Sequence, residues 1–377
     1  MTNNTILNWD DADPKAIYSR QLINNPLYWD EILNTWVTYS YEYCKTILLS
    51  EDAHVPEPVI EINTLLNEKA VLLLRNLVRL TNNGQHNESR RAAMVIYNSM
   101  KPVSISHILE DLLADVKDSS PFDWVTVVAK KLPLLIILRA LEFPENECDF
   151  VVENISSLVK IMSPNKTVQD IETINSVVDE FYTISERHVP ITIRDSSGFS
   201  ASIEIFVCNL VGLFIQCYDA GRGLLCNTLL NMVRTNNNQN THPHDITYFK
   251  KLVTETLRID PPVHNTRRIA VKDILIGNQL IKAGQAILVV IGAANLDPKV
   301  FKDPALYDLS RGNNGEHLTF GLGGHNCFAK YTMIDMATEI CFFLTNKYKH
   351  ISIVQQEFKY EPQLNVKLVK ELMIKLS

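Results

Sequence analysis

A mainly α-helical body with small β-sheets is the fold class this sequence predicts, and three observations predict it. Apolar residues recur at helical spacing along most of the chain. Strand-like runs are short and confined to residues 27–38 and 269–291. Turn pairs, Gly277-Asn278 and Ala283-Gly284, cut the second of these regions into pieces too short for a large sheet.

The elements follow in order. Leu27-Tyr28-Trp29 and Thr35-Trp36-Val37-Thr38 flank a polar turn, which predicts a hairpin. Helical spacing predicts helices over 62–80, 89–100, 105–116, 168–187, 202–234 and 246–259, and another over 328–343. Strands are expected at 269–276, 279–281 and 285–291. Residues 235–245, rich in Asn and His, read as a surface loop between two helices.

The 377 residues, 46% of them apolar, can bury a large core and by length alone suggest two domains. A net charge of −7 argues against broad nucleic-acid binding, which wants clustered positive charge. The first twelve residues are polar and carry no signal-peptide core. No uninterrupted apolar stretch reaches membrane-spanning length: the run 205–220 contains Asn209, Gln216 and Asp219 and reads as a buried helix. Seven scattered cysteines with no CxxC pair suggest reduced thiols. The expectation is a soluble cytoplasmic monomer.

Chemistry concentrates in Phe320-Gly321-Leu322-Gly323-Gly324-His325-Asn326-Cys327-Phe328-Ala329. Glycines let the backbone turn tightly and pass close to a flat ligand. The helix that follows places Cys327 near a helix N-terminus, where exposed N–H groups and the dipole favour a thiolate. A buried structural cysteine is the alternative for any lone Cys. The full decapeptide, however, resembles the heme-binding motif of the cytochrome P-450 superfamily, Phe-Gly-x-Gly-x-His-x-Cys, at every fixed position, with Ala329 where the family usually has Gly.

Resemblance to soluble bacterial members of that family covers almost the full length and implies one domain, 1–377, with a heme between two long helices. The hairpin region 25–37 resembles the family's N-terminal hairpin, and Pro121-Phe122-Asp123, Leu132-Pro133 and Phe143-Pro144 resemble its central helical region. Glu255-Thr256-Leu257-Arg258 is similar to the family's Glu-x-x-Arg pair, two side chains that can meet at i,i+3 on a helix. Arg311 matches the usual third member, and the implied role of the trio is to scaffold the heme loop. The cofactor implied is heme b, with the Cys327 thiolate as axial ligand, a ligand that pushes electron density toward the iron. Buried propionates need cationic or hydrogen-bonding partners. By family position these are His86, Arg90, Arg268 and His325, with Arg267 able to exchange with Arg268 and an exposed loop histidine the alternative for His86. Phe320, Gly321 and Ala329 complete the cofactor-binding set.

The distal helix departs from the pattern. Members carry Ala-Gly-x-(Glu/Asp)-Thr, in which the acid and the threonine relay protons during oxygen activation. Here Ala220-Gly221-Arg222-Gly223-Leu224 puts Gly223 at the acid position and Leu224 at the alcohol position, and neither side chain can carry a proton. Asp219, a full turn early, is the weaker candidate for the acid. Arg222 is either a polar pocket group or a charge directed away. The substrate pocket implied is mainly apolar, from Leu213, Cys217, Ala220 and Leu224, faced by Val263, His264 and Asn265, the last two of which could instead bond only backbone or a propionate. The loop 52–60 lies where substrate-gating segments sit in the family.

The resemblance implies an oxidoreductase of secondary metabolism, a monooxygenase or related oxidative tailoring enzyme acting on a small organic molecule. For oxygen chemistry it would draw electrons from a separate ferredoxin or flavodoxin docking near the cysteine side, with Lys330 and Arg91 as candidate contacts. Two other readings stay open: a peroxide-driven or non-monooxygenase heme enzyme (coupling, rearrangement, dehydration), and a non-catalytic helper relative. The last is disfavoured by the retained cysteine.

Overall fold

The hairpin expected at residues 27–38 forms as β1 (Leu27–Asp30) and β2 (Thr35–Thr38), antiparallel, with Trp29 opposite Trp36. Asp30 closes the turn, its Oδ1 accepting the N–H groups of Ile32 and Leu33 at 3.0 Å each. The computed structural model describes residues 9–10, 13–58, 65–117, 119–163, 166–189, 202–236 and 245–377. The expected helix start at 62–64, the end of the expected gating loop at 59–60 and most of the expected surface loop (237–244) lie outside them.

The chain divides into two compact units. One comprises Met1–His54, Ile105–Ala129 and Asp219–Ser377; the other comprises Val55–Ser104 and Lys130–Tyr218. All strands among the described residues fall in the first. There β3 (Ala53–His54), β5 (Thr266–Ala270) and β8 (Ala286–Val289) join the hairpin in a five-stranded sheet of order β1-β2-β8-β5-β3. The pair β2–β8 is parallel, with Trp36 beside Ile287, and β5–β8 is antiparallel. Trp36, Ile47, Ile287, Val289 and Leu318 bury one face of this sheet.

The expected single strand 269–276 breaks in two. β5 ends at Ala270, and β6 (Ile274–Ile276) pairs instead with β7 (Gln279–Ile281). Asp273 between them accepts from the Lys282 Nζ and the Ala283 N–H at 2.9 Å each, which turns the chain. A three-stranded sheet of β4 (Phe122–Asp123), β10 (Met373–Leu376) and β9 (Ile351–Ile353) was not expected from the sequence.

Two amphipathic helices of the same unit pack on each other: Ile246–Ile259, as expected, and Lys330–Lys347. The first begins where the Asp245 carboxylate accepts the Thr247 N–H at 2.8 Å. It ends before Pro261-Pro262, which cannot continue a helix. Phe249 of one meets Phe342 of the other edge to face.

The described part of the second unit is helical: Glu68–Asn76, Asn83–Asn98, Leu132–Ala140, Glu145–Leu158, Val168–His188 and the first half of the long helix Ile203–Asn236. Asn67 caps the first of these, its side chain accepting from the Ala70 N–H at 2.9 Å, so that helix starts later than the apolar spacing suggests. Thr167 and Asp170 form a reciprocal capping box on Val168–His188. The long helix is apolar and long enough to cross a membrane by composition, yet 67% of its most apolar window is buried inside the protein, as a core helix is.

Candidate functional site

The decapeptide around Cys327 forms a looped segment whose backbone favours glycine at two points. Gly321 and Gly323 have φ of 67° and 66°, the left-handed region. A Cβ on Gly323 would also lie 2.7 Å from the Leu48 carbonyl oxygen, so the loop backs directly onto the helix Tyr41–Leu49. The Cys327 N–H donates to the Phe320 carbonyl at 2.8 Å and the Gly321 N–H to Leu318 at 2.8 Å, closing the loop on itself. Ala329 caps the helix that starts at Lys330, so Cys327 stands two residues before the cap. Of the seven cysteines, five are buried, Cys217 is half-buried and Cys327 is exposed. Burial pushes the thiols of Cys44 and Cys341 up to about 12, which leaves both inert as thiolates. Phe320, Gly321, His325 and Ala329 are half-buried, and the Lys330 ammonium lies over the Phe320 ring at 5.9 Å.

Beneath the loop, Arg258 meets Glu255 in a two-pronged ion pair: Nε to Oε2 at 2.9 Å and Nη2 to Oε1 at 2.7 Å. Neither side chain is exposed. Arg311 reaches the same Oε1 at 3.3 Å, so the structure brings all three expected residues together. Arg258 also donates to the carbonyls of Asn295, Pro304 and Leu306.

The connection from this cluster to the loop runs through a residue that sequence reasoning missed. Asn295, fully buried, accepts the Leu318 N–H at 2.7 Å and donates to the Thr319 Oγ1 at 2.9 Å. Thr319 in turn donates to the Leu257 carbonyl at 2.6 Å. The available signal was a carboxamide closing the apolar run Ile291-Gly292-Ala293-Ala294.

Arg268 is buried and Arg267 exposed. The Nη1 of Arg268 donates to the Thr266 Oγ1 at 3.1 Å and to the Arg267 carbonyl at 2.8 Å. No carboxylate among the described residues faces it, and burial alone pulls the guanidinium down to about 10. In the other unit, His86 is buried with Nδ1 3.0 Å from the Val78 carbonyl, Arg90 is half-buried and Arg91 is exposed.

The His264 Nδ1 lies 2.9 Å from the Tyr18 hydroxyl, with the Trp9 ring 4.7 Å away. Burial holds its pKa down at about 3. Asn265 donates to the Leu364 carbonyl at 3.0 Å, while Val263 is half-buried and bridges Val366.

The long helix is tightly packed at the two residues expected in the acid and alcohol positions. Leu224 is 2% exposed. Gly223 faces Pro262 and Leu368 so closely that a Cβ would lie 2.6 and 2.9 Å from them, so no acid fits there. Asp219 and Ala220, one turn earlier, are half-buried, as are Gln216 and Cys217 on the preceding turn, whereas Leu213 is buried. Gly221 is buried too, and Arg222 points to Glu361 and Val369.

The family model for cytochrome P450 matches residues 228–330, a span containing Glu255, Arg258, Arg311 and Cys327. The chain belongs to the cytochrome P450 superfamily. A cytochrome P450 133B2 of Xylella fastidiosa is 26% identical over 70% of this chain, and the alignment spans 66% of that protein's length. The biotin biosynthesis cytochrome P450 of Bacillus subtilis is 21% identical with 96% of both chains covered. Among solved structures, P450BioI in complex with an acyl carrier protein bearing hexadec-9Z-enoic acid superposes with a TM-score of 0.84 at 19% identity. It covers 97% of this chain and 98% of its own, so the P450 fold extends over the whole length.

Proposed function

We propose that the chain is a heme-thiolate oxidoreductase that holds heme b through Cys327 and acts on a small organic substrate. The observation that carries this reading is the placement of Cys327: the exposed cysteine of the seven, on a glycine-shaped loop braced from below by Glu255, Arg258 and Asn295. The residues suit the cofactor chemically. A soft thiolate suits iron, and the buried guanidinium of Arg268, which among the described residues meets only neutral acceptors, suits a propionate carboxylate. His325 stands beside the cysteine on the same loop. When bound, heme would supply one-electron and oxygen-transfer chemistry.

On the distal side we take the half-buried Asp219 for the acid position and Ala220 for the alcohol. The carboxylate is retained and the hydroxyl lost. Asp219 can hold and release a proton, while Ala220 cannot position one, so the missing hydroxyl must come from water or the substrate, or the reaction must dispense with it. This favours keeping a peroxide-driven or non-monooxygenase reaction as the second reading. An acyl group carried by a protein is the first substrate class to try, because of the similarity to P450BioI. A ferredoxin or flavodoxin is the partner class for the oxygen-dependent reading.

The ferrous–carbonyl difference spectrum tests the assignment: a Soret band at the thiolate position that disappears in Cys327→Ser supports it, and an unchanged band removes it. Turnover with peroxide against turnover with a surrogate electron-transfer chain and oxygen separates the two reactions.

A further inference from the structure

Arg222 is an unusual residue for the middle of an apolar helix, with 4% of its side chain exposed. Its Nη2 donates to the Glu361 Oε1 at 2.8 Å and to the Val369 carbonyl at 2.7 Å, and its Nε is buried without a partner among the described residues. A guanidinium so placed stabilises little: an apolar side chain of similar volume commonly does as well as a buried ion pair or better. Its presence therefore points to placement of its partners rather than to added stability.

Those partners lie on the two arms of one hairpin. Tyr360 bridges Val369, the Glu361 N–H donates to the Leu368 carbonyl at 2.8 Å, and the Lys370 N–H donates to the Lys359 carbonyl at 2.8 Å. One guanidinium thus holds both arms. The far end of the hairpin is tied to the segment after Pro261-Pro262. The His264 N–H donates to Asn365, the Lys367 N–H to Pro262, and the Asn265 side chain to Leu364, whose own side chain is exposed. Next to Arg222, Gly223 packs against Pro262 and Leu368, leaving no space between helix and hairpin.

We infer that Arg222 is a positioning residue: it fixes hairpin 359–370 against the helix segment that carries Asp219 and Ala220, and so sets the room that Val263 and Leu364 leave for a substrate. The inference rests on the heme-thiolate reading and on the Asp219–Ala220 register. Loss of the guanidinium frees both arms at once, whereas loss of the Glu361 carboxylate leaves the Val369 bond in place.

The test uses the heme-loaded full chain with Arg222→Met, Arg222→Lys and Glu361→Gln. Hydrogen exchange reads the hairpin, and Soret shifts on titration with imidazole and 4-phenylimidazole read the room for a bulky ligand. Arg222→Met should speed exchange across 359–370 roughly tenfold, with 274–281 unchanged, and should shift the ratio of the two dissociation constants by about fivefold. Arg222→Lys should recover part of both effects. If Arg222→Met does not fold, Glu361→Gln should show the same changes at roughly twofold to threefold. Faster exchange with an unchanged ligand ratio overturns the inference, because the residue is then merely structural. Unchanged exchange overturns it outright. A wild-type chain without a Soret band sinks the heme-thiolate reading instead, and hydrogen exchange still decides whether Arg222 fixes the hairpin.

Discussion

The Arg258 guanidinium donates to the Asn295 carbonyl at 2.9 Å, and the Asn295 carboxamide holds the backbone of Leu318 and the hydroxyl of Thr319, just before the cysteine loop. A buried ion pair and the cysteine loop are thus joined through one asparagine. This accounts physically for a scaffolding role: the charge pair fixes the asparagine, and the asparagine fixes the start of the loop.

Asn295→Ala should therefore loosen the loop without touching Cys327. It leaves the buried Leu318 N–H unpaired, which costs about 1–3 kcal/mol. Asn295→Asp keeps that acceptor but loses the donor to Thr319, whose own proton is committed to the Leu257 carbonyl. Urea unfolding and the rate of heme transfer to an acceptor protein should both order the variants as wild type, Asp, Ala; equal transfer rates would break the proposed link.

Glu255→Ala should be more severe. It strands two buried guanidiniums, Arg258 and Arg311, and removes the acceptor of the Asp308 N–H. A loss of about 3–5 kcal/mol is expected, as for other buried pairs broken on one side. Glu255→Gln, which keeps an acceptor oxygen, should lose less. Equal denaturation midpoints for the two variants would contradict the geometry.

Much of this frame could be read from residues alone. Glu255-Thr256-Leu257-Arg258 announces its own i,i+3 pairing, and Gly321 and Gly323 mark the turn that positive φ requires. The packed face of the long helix could not, because it is set by residues far away in the chain. Contact of Gly223 with Pro262 and Leu368, residues 39 and 145 positions away in the chain, decides that face. The His264 partner was hidden for the same reason: Tyr18 lies 246 residues away, and no local pattern encodes such a pairing. The C-terminal strands escaped because β4 and β9 are two and three residues long and exist through pairing with β10.

Acid should unfold this protein partly through two histidines. Burial first, then the Lys367 charge, hold His264 at about 3, with Asp260 opposing; burial, Lys330 and Arg258 hold His317 at about 3. An unfolded histidine titrates near about 6.5. Between those values the unfolded chain binds more protons than the folded one, so stability falls as pH drops from about 6.5 toward 3. His264→Asn should flatten the curve of urea midpoint against pH by up to about 1.4 kcal/mol per pH unit in that window. Parallel curves for variant and wild type would show that His264 is not held neutral by its surroundings.

The register of the long helix gives a paired prediction. Leu224→Thr removes buried apolar volume from a side chain that is 2% exposed and should cost about 1–3 kcal/mol. Gly223→Ala drives a methyl into Pro262 and Leu368, with a cost of about 1–3 kcal/mol. Ala220→Thr adds a hydroxyl to a half-buried position, where it can bond the carbonyl four residues earlier, and should leave stability nearly unchanged. If Asp219 and Ala220 are the acid and alcohol positions, Ala220→Thr alone should also change the fraction of electrons ending in product rather than peroxide. If coupling responded to Leu224→Thr and not to Ala220→Thr, the acid and alcohol positions would lie one turn later, despite the packing of Gly223.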